Sequence, residues 1–472
     1  MVMKRQIKNV MPEFLNLSDA MKLSREQNRE NHREFINPNL VQLMGLLNFD
    51  TCFIRAEGVS LWDKEGHEYL DFLGGYGALN LGHNHPEILA AVDMVKEAPN
   101  LLQAFPNPLA GALARDLALF TPGELQYSFF CNSGAEAVEG ALKLARASTE
   151  RTKFISCEGA FHGKSFGALS VTGRKKYRKP FAPLLPEVSF VPYGDAEALE
   201  KALYQNDVAA FIVEPIQGEG GIIVPPVGYL KKIRDICNKH NVLLIVDEIQ
   251  TGFGRTGTLF ACEQAGIVPD ILCLSKSFGG GVMPLAAYTA TERVWKKAYG
   301  SLEKAMLHTS TFGGNSRAAA AGIATLEIIF RDGLTLQAAE KGEYLIGKLQ
   351  GLQKKYPFLK EVRGKGLMIG LEFAQPEKGI INKLIGGTLE KLASEYLGAM
   401  IAGELFNTYR IITAYTLNNP NVIRLEPPLI VSYEQLDTLL VALDAICAKN
   451  EGLLDLVISS SKTIMGSWTK KD

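Results

Sequence analysis

Between residues 108 and 290 two apolar patterns alternate along the chain. Residues 135–147 and 228–240 repeat their apolar positions at the helical period, while 154–157, 209–213, 242–246, 271–274 and 285–289 are short apolar runs without polar alternation. Strands of that kind are buried on both faces, so the pattern predicts an α/β fold: a large domain with a mostly parallel central sheet covered by helices on either side. An Ala-rich helix is expected over 317–330. The segment 335–460 then mixes helices with strand-like runs at 367–373 and 421–425, which reads as a smaller α+β domain. Ahead of the sheet, residues 1 to about 40 are polar and helix-compatible, an arm ending at a Pro38 turn. Residues 51–73 carry short apolar runs punctuated by Gly58 and Gly66 and predict a hairpin or meander, and 74–86 is a loop rich in Gly, Asn and His. The division expected is a helical arm and the start of the small domain over 1–60, the large domain over 61–330, and a C-terminal small domain over 331–472 with a mobile tail. The chain has no internal repeat and no low-complexity tract.

Composition narrows the class. The 472 residues are 47% apolar and 21% charged with a net charge of −1, so no global field favours nucleic acid or an anionic membrane. The seven cysteines are irregularly spaced and include no C-x-x-C, which argues against a disulfide framework or a zinc site and for a reducing compartment. The first residues lack an apolar signal core, and the apolar runs are too short to span a bilayer. A cytoplasmic protein is expected, with no bound metal.

The richest chemistry lies in VLLIVDEIQTGFGRTGTLFACEQAGIVPDILCLSK. One apolar strand ends in the acidic pair Asp247-Glu248 and the next ends on Lys276, positions where open α/β sheets place their ligands. Lys276 is either a surface lysine or, desolvated at a strand end beside Gly279-Gly280-Gly281, an amine able to attack a carbonyl. Asp247 is either a structural ion-pair partner or the acid that keeps a pyridine nitrogen protonated. Pyridoxal 5'-phosphate needs both, a lysine for its aldehyde and an acid for its ring nitrogen. Gln250 is in reach of a ring hydroxyl and Ile249 of a ring face. Ser133-Gly134-Ala135-Glu136 opens a helix as a capping box, and the same N-terminus can hold a phosphate. The run GAFHGKS imitates a nucleotide-binding P-loop, but the position of its first glycine is Glu158, so ATP chemistry is excluded. Phe161 in that run can stack on a planar ring, and His162 is structural or catalytic. Glu214 and Glu219 follow a strand end and are open to solvation or to function. Arg424 is an ion-pair partner or a bidentate carboxylate ligand.

Taken in order, NSGAEAVEGALKLAR, GAFHGKS, VEPIQGEGG, VDEIQTGFGRTG, LSKSFGGG, STFGGN and IRLEPP resemble the class III pyridoxal-phosphate aminotransferases of fold type I, a likeness running from about Gly58 to Leu429. The resemblance implies that Lys276 bonds the cofactor and Asp247 pairs with its ring nitrogen. Gln250 contacts the ring oxygen, and Phe161 and Ile249 sandwich the ring. Ser133, Gly134 and Ala135 hold the phosphate together with Thr311 from a neighbouring subunit, and His162 and Glu214 complete the cofactor site. Glu219 and Arg424 resemble a switch pair for the substrate carboxylate, and Gln103 and Lys164 join them as substrate residues. A homodimer or a dimer of dimers follows. Within the family, LGGYGALNLGH, KPFAPLLP and DILCLSKSFGGGVMP are most similar to the putrescine aminotransferases, which implies transfer of a terminal amine from putrescine to 2-oxoglutarate, giving 4-aminobutanal and glutamate. Lys164 departs from the arginine usual in the acetylornithine branch and lacks its planar fork. Ornithine, acetylornithine or 4-aminobutyrate transamination, a PLP-dependent isomerase or racemase, and a non-catalytic scaffold on the same fold are the alternatives.

Overall fold

A computed structural model describes residues 15–47, 49–102, 104–204, 207–374 and 387–449. Its centre is a seven-stranded sheet in the spatial order Leu125–Cys131, Ala286–Thr291, Ile271–Leu274, Leu243–Asp247, Val208–Val213, Lys153–Cys157 and Val188–Val191. Ala286–Thr291 runs antiparallel to both of its neighbours, and the remaining pairs are parallel. Side chains alternate between two apolar layers. Leu244, Val246, Leu272 and Leu274 face one core, and Leu243, Ile245, Ile271 and Cys273 face the other. Burial on both faces is why these strands read as unbroken apolar runs.

The helix Gly134–Thr149 covers the second face. Its N-cap Ser133 accepts from the Glu136 amide while the Glu136 side chain returns to the cap backbone, and Ala137, Val138, Ala141, Leu142, Leu144 and Ala145 are buried along it. The helix Tyr229–Lys239 packs on the other face through Leu230, Ile233 and Cys237.

Two four-stranded sheets complete the fold. In one, the meander Phe53–Glu57, Ser60–Asp63 and Glu68–Asp71 is closed by Ile411–Ile412, which comes from far along the chain and pairs in parallel. In the other, Leu359–Lys365, Met368–Phe373, Val422–Leu425 and Ala414–Tyr415 are antiparallel, flanked by the helices Leu334–Lys355 and Tyr433–Lys449. The described part of the arm holds the helices Leu17–Ala20, Arg25–Phe35 and Pro38–Leu47, so Pro38 opens a helix instead of ending one; residues 1–14 and the tail expected to be mobile lie outside the described residues. Proline's fixed φ and missing N–H suit the first helical turn. Among the described residues no helix is long and apolar enough to cross a membrane.

Candidate active site

Four neighbouring parallel strands of the large sheet end side by side at Cys157, Val213, Asp247 and Leu274, and Leu125–Cys131 ends at the same rim beyond the antiparallel Ala286–Thr291. Ser133, Phe161, His162, Glu214, Asp247 and Lys276 sit on or just beyond those ends. The parallel register therefore gathers residues spread over more than a hundred positions at one rim.

Asp247 and Glu248 divide by strand alternation. Glu248 is fully buried and structural: it accepts from the Cys262 amide at 2.7 Å and from the Thr251 hydroxyl. Asp247 faces the rim. Its Oδ2 lies 2.7 Å from His162 Nδ1, and its Oδ1 accepts from the Ile249 amide at 3.0 Å. His162 Nε2 is buried with no hydrogen-bond partner among the described residues. Glu214 spans the strand ends beside this pair, accepting from the amides of Phe161 at 3.0 Å and Gly218 at 3.1 Å. Burial, and then the neighbouring Asp247 charge, push its carboxyl up to about 7.

Lys276 begins a short 3-10 turn with φ of 53°, a left-handed conformation that costs a side-chain-bearing residue on the order of 1–3 kcal/mol and is typical of functional positions. Desolvation lowers the basicity of its amine, against the pull of Glu426, which acts to raise it.

The helix N-terminus at Ser133 is packed from two sides. A Cβ on Gly134 would stand 2.9 Å from Ile249 Cδ1. One on Gly163, whose φ is +129°, would stand 2.9 Å from Ala135 Cβ. Glycine at 163 thus lets the GAFHGKS loop close on the helix end, where first-turn N–H groups have no intrahelical acceptor.

Arg424 lies on the strand Val422–Leu425, fully buried. Its Nη2 is 2.6 Å from Glu219 Oε1 and its Nη1 is 3.3 Å from Glu426 Oε2. The guanidinium also stacks over the Tyr76 ring, 5.2 Å from its centroid. Nε of Arg424 is buried with no hydrogen-bond partner among the described residues, while Nη2 is engaged by Glu219. Gln250 joins this cluster: its Nε2 donates to Glu426 Oε1 at 2.9 Å, and Gly218 packs so closely on Gln250 Oε1 that a Cβ there would lie 1.5 Å away.

The remaining expected residues lie farther out. Phe161 is half-buried beside His162. Lys164 is exposed, with its ammonium 5.3 Å from the Tyr177 ring centroid, and that ring also carries Arg174, which binds the Leu417 carbonyl next to Glu219. Thr311 is exposed on a loop beside Asn132, Glu136 and Phe312, lining an open cleft. Gln103 lies outside the described residues. Glu426 and Tyr76 are members of the cluster that the sequence reading did not single out. Glu426 was within reach of it, because it stands two residues beyond Arg424, and alternate residues of an extended chain share a face.

The family model for aminotransferase class III matches residues 45–447. The chain is similar to the ornithine aminotransferase of Toxoplasma gondii, whose active site carries pyridoxal phosphate at partial occupancy, with 32% identity and a TM-score of 0.80 over 91% of this chain and 96% of that one. The acetylornithine aminotransferase of Elizabethkingia anophelis gives 32% identity and a TM-score of 0.70 over 84% of this chain and 94% of that one. A PLP-bound amine transaminase from an uncultivated Pseudomonas species gives 29% and 0.74 over 84% and 94%.

Proposed function

Because the chain belongs to the class III aminotransferases, a pyridoxal-phosphate-dependent family, we propose that it moves the terminal amine of a diamine, putrescine, to 2-oxoglutarate, giving 4-aminobutanal and glutamate. The observation that carries this reading is the 2.6 Å ion pair between Arg424 and Glu219. With its charge matched, the buried guanidinium leaves the pocket suited to a donor that has no carboxylate.

The residues fit the cofactor. A lysine of lowered basicity, a carboxylate held by a buried histidine, and a helix N-terminus whose first-turn amides have no intrahelical acceptor supply the partners its aldehyde, ring nitrogen and phosphate require. When bound, pyridoxal phosphate supplies a carbonyl that accepts the amine and a ring that takes up the electrons left when the donor carbon loses its proton.

The protein's part is positioning and proton transfer. Lys276 would bond the cofactor, and its freed amine would then take the proton from the donor carbon and deliver it to the carbon of the former aldehyde, across the intervening nitrogen. Asp247, aimed by His162, keeps the ring nitrogen protonated, and Glu214 orders the loop that carries Phe161. Ser133, Gly134 and Ala135 would hold the phosphate, Ile249 and Phe161 would flank the ring, and Gln250 would meet its oxygen. Arg424 binds a carboxylate of 2-oxoglutarate once Glu219 turns away. Lys164 is proposed to contact the substrate, and Gln103, which lies outside the described residues, is proposed as a substrate residue from the sequence resemblance alone.

A second copy of the chain completes the site by bringing Thr311 to the phosphate. What supports this is that Leu101, Phe105, Met306 and Phe312 are exposed around the clefts that Thr311 lines, an apolar surface of the kind that marks interfaces. The free cysteines suit the cytoplasm.

The deciding experiment is a spectrally monitored amine half-reaction of the cofactor-loaded protein with putrescine, ornithine, N-acetylornithine and 4-aminobutyrate in turn. Fastest bleaching by putrescine, reversed by 2-oxoglutarate, supports the diamine reading. A win for ornithine or its acetyl derivative moves the protein to the amino-acid branch.

A further inference from the structure

Arg424 faces two carboxylates, and they are held very differently. Glu219 sits between Gly218 and Gly220 in a turn. Apart from its contact with Arg424, its side chain accepts from the Leu417 amide at 2.9 Å. Glu426 is fully buried and fixed on every side. Its amide donates to the Phe72 carbonyl at 2.7 Å, and the next carbonyl, that of Pro427, accepts from the buried Arg255 at 2.5 Å. Its carboxylate oxygens lie 2.9 and 3.2 Å from Gln250 Nε2, and one of them is 3.3 Å from Arg424 Nη1. The loop at Gly77 closes over it so tightly that a Cβ there would stand 3.3 Å from Oε1.

We propose that Glu426 is a specificity-determining residue that permanently offsets half of the Arg424 site. Resting on the reading that Arg424 binds substrate carboxylates, the argument is one of charge. With both acids in place the cluster of Arg424, Glu219 and Glu426 carries a net charge of −1, which attracts the far ammonium of a diamine. When Glu219 turns away, a carboxylate ligand meets a guanidinium already paired with a fixed acid, not a bare cation. Glu426 therefore weakens every carboxylate ligand and favours donors without one, which is discrimination built by opposing the wrong ligand. Because the same carboxylate anchors Gln250, it also ties the substrate-charge site to the side chain beside the cofactor ring.

The test uses the cofactor-loaded protein and glutarate, a dicarboxylate with no amine or keto group, so that binding is read by calorimetry without turnover. E426Q keeps the shape and an acceptor for Gln250, and E426A removes both. Removing one fixed charge beside Arg424 is expected to tighten glutarate about tenfold, equivalent to about 1.4 kcal/mol, in both variants. The putrescine half-reaction should fall in kcat/KM by about fivefold or more in the same proteins. A tighter glutarate complex is a gain that mere structural damage cannot produce. R424K separates the premise from the inference. If R424K weakens glutarate and E426Q does not tighten it, Glu426 has no such role, while the Arg424 reading stands. If R424K leaves glutarate affinity unchanged, Arg424 is not the carboxylate site and the proposal falls with it.

Discussion

His162 Nδ1 lies 2.7 Å from Asp247 Oδ2, and both side chains are enclosed by protein. The imidazole therefore donates to the carboxylate and fixes which way it points, while Oδ1 is held by the Ile249 amide. D247N keeps the size of the side chain but removes the charge proposed to face the ring nitrogen. It is expected to slow the amine half-reaction by about 100-fold or more. H162Q keeps a donor but loses the rigid ring, and a loss of about tenfold is expected. Stopped-flow half-reactions on both variants check this, and a D247N protein as fast as wild type would remove Asp247 from the chemistry.

Lys276 combines a desolvated amine with a strained backbone. K276A should lose about 10³-fold or more in the amine half-reaction, since both the covalent anchor and the proton carrier are gone. K276R should do no better, because a guanidinium stays protonated. Borohydride reduction followed by peptide mass spectrometry should place the cofactor on residue 276 in wild type. A label on any other lysine would reassign the site.

What could be read from the sequence follows from burial. The five inner strands of the large sheet are apolar on both faces, and each was legible as an uninterrupted run. The two edge strands, Leu125–Cys131 and Val188–Val191, mix buried and exposed positions and blur into their flanks. Asp247 and Lys276 were legible for a related reason, as polar residues that end apolar runs at a parallel sheet's carboxyl rim. The link from Gln250 to Glu426 was not, because it joins positions 176 residues apart that meet only when Val422–Leu425 packs beside the large sheet. Tyr76 was hidden similarly: a ring in a glycine-rich loop carries no signal until Arg424 is placed over it.

Gly218 is a position where a single methyl group reaches the site. The Cβ of G218A would overlap Gln250 Oε1, and Gln250 cannot move without leaving Glu426. Overpacking of this kind costs about 1–3 kcal/mol. A lowered Tm is expected together with weaker cofactor retention. G111A, in the helix Pro108–Phe120 with open space for the added Cβ, serves as the control: helix propensity predicts a Tm that is unchanged or slightly raised, with cofactor retention unaffected. Cofactor titration and thermal unfolding check the pair, and a G218A protein indistinguishable from G111A would mean that Gln250 has room to move.

Glu214 gives the protein a pH signature with a definite sign. Burial and the nearby Asp247 raise its carboxyl from 4.5 to about 7 in the folded chain, while the unfolded chain keeps the ordinary value. Between those values the folded state holds a proton that the unfolded state has released. The resulting stabilisation is fully present below pH 4.5 and is lost as pH rises through about 7. E214Q stays neutral at every pH and cannot lose it. Cofactor-free wild type should therefore lose stability relative to E214Q as pH rises from about 5 to about 8, a trend opposite in sign to that of a salt-bridged carboxylate. Denaturant unfolding of the two proteins across that range checks the sign, and because all other titrating groups are shared, their difference isolates Glu214. A difference that stays flat with pH would mean that the carboxyl titrates alike in both states, and that its hydrogen bonds to the Phe161 and Gly218 amides outweigh its burial.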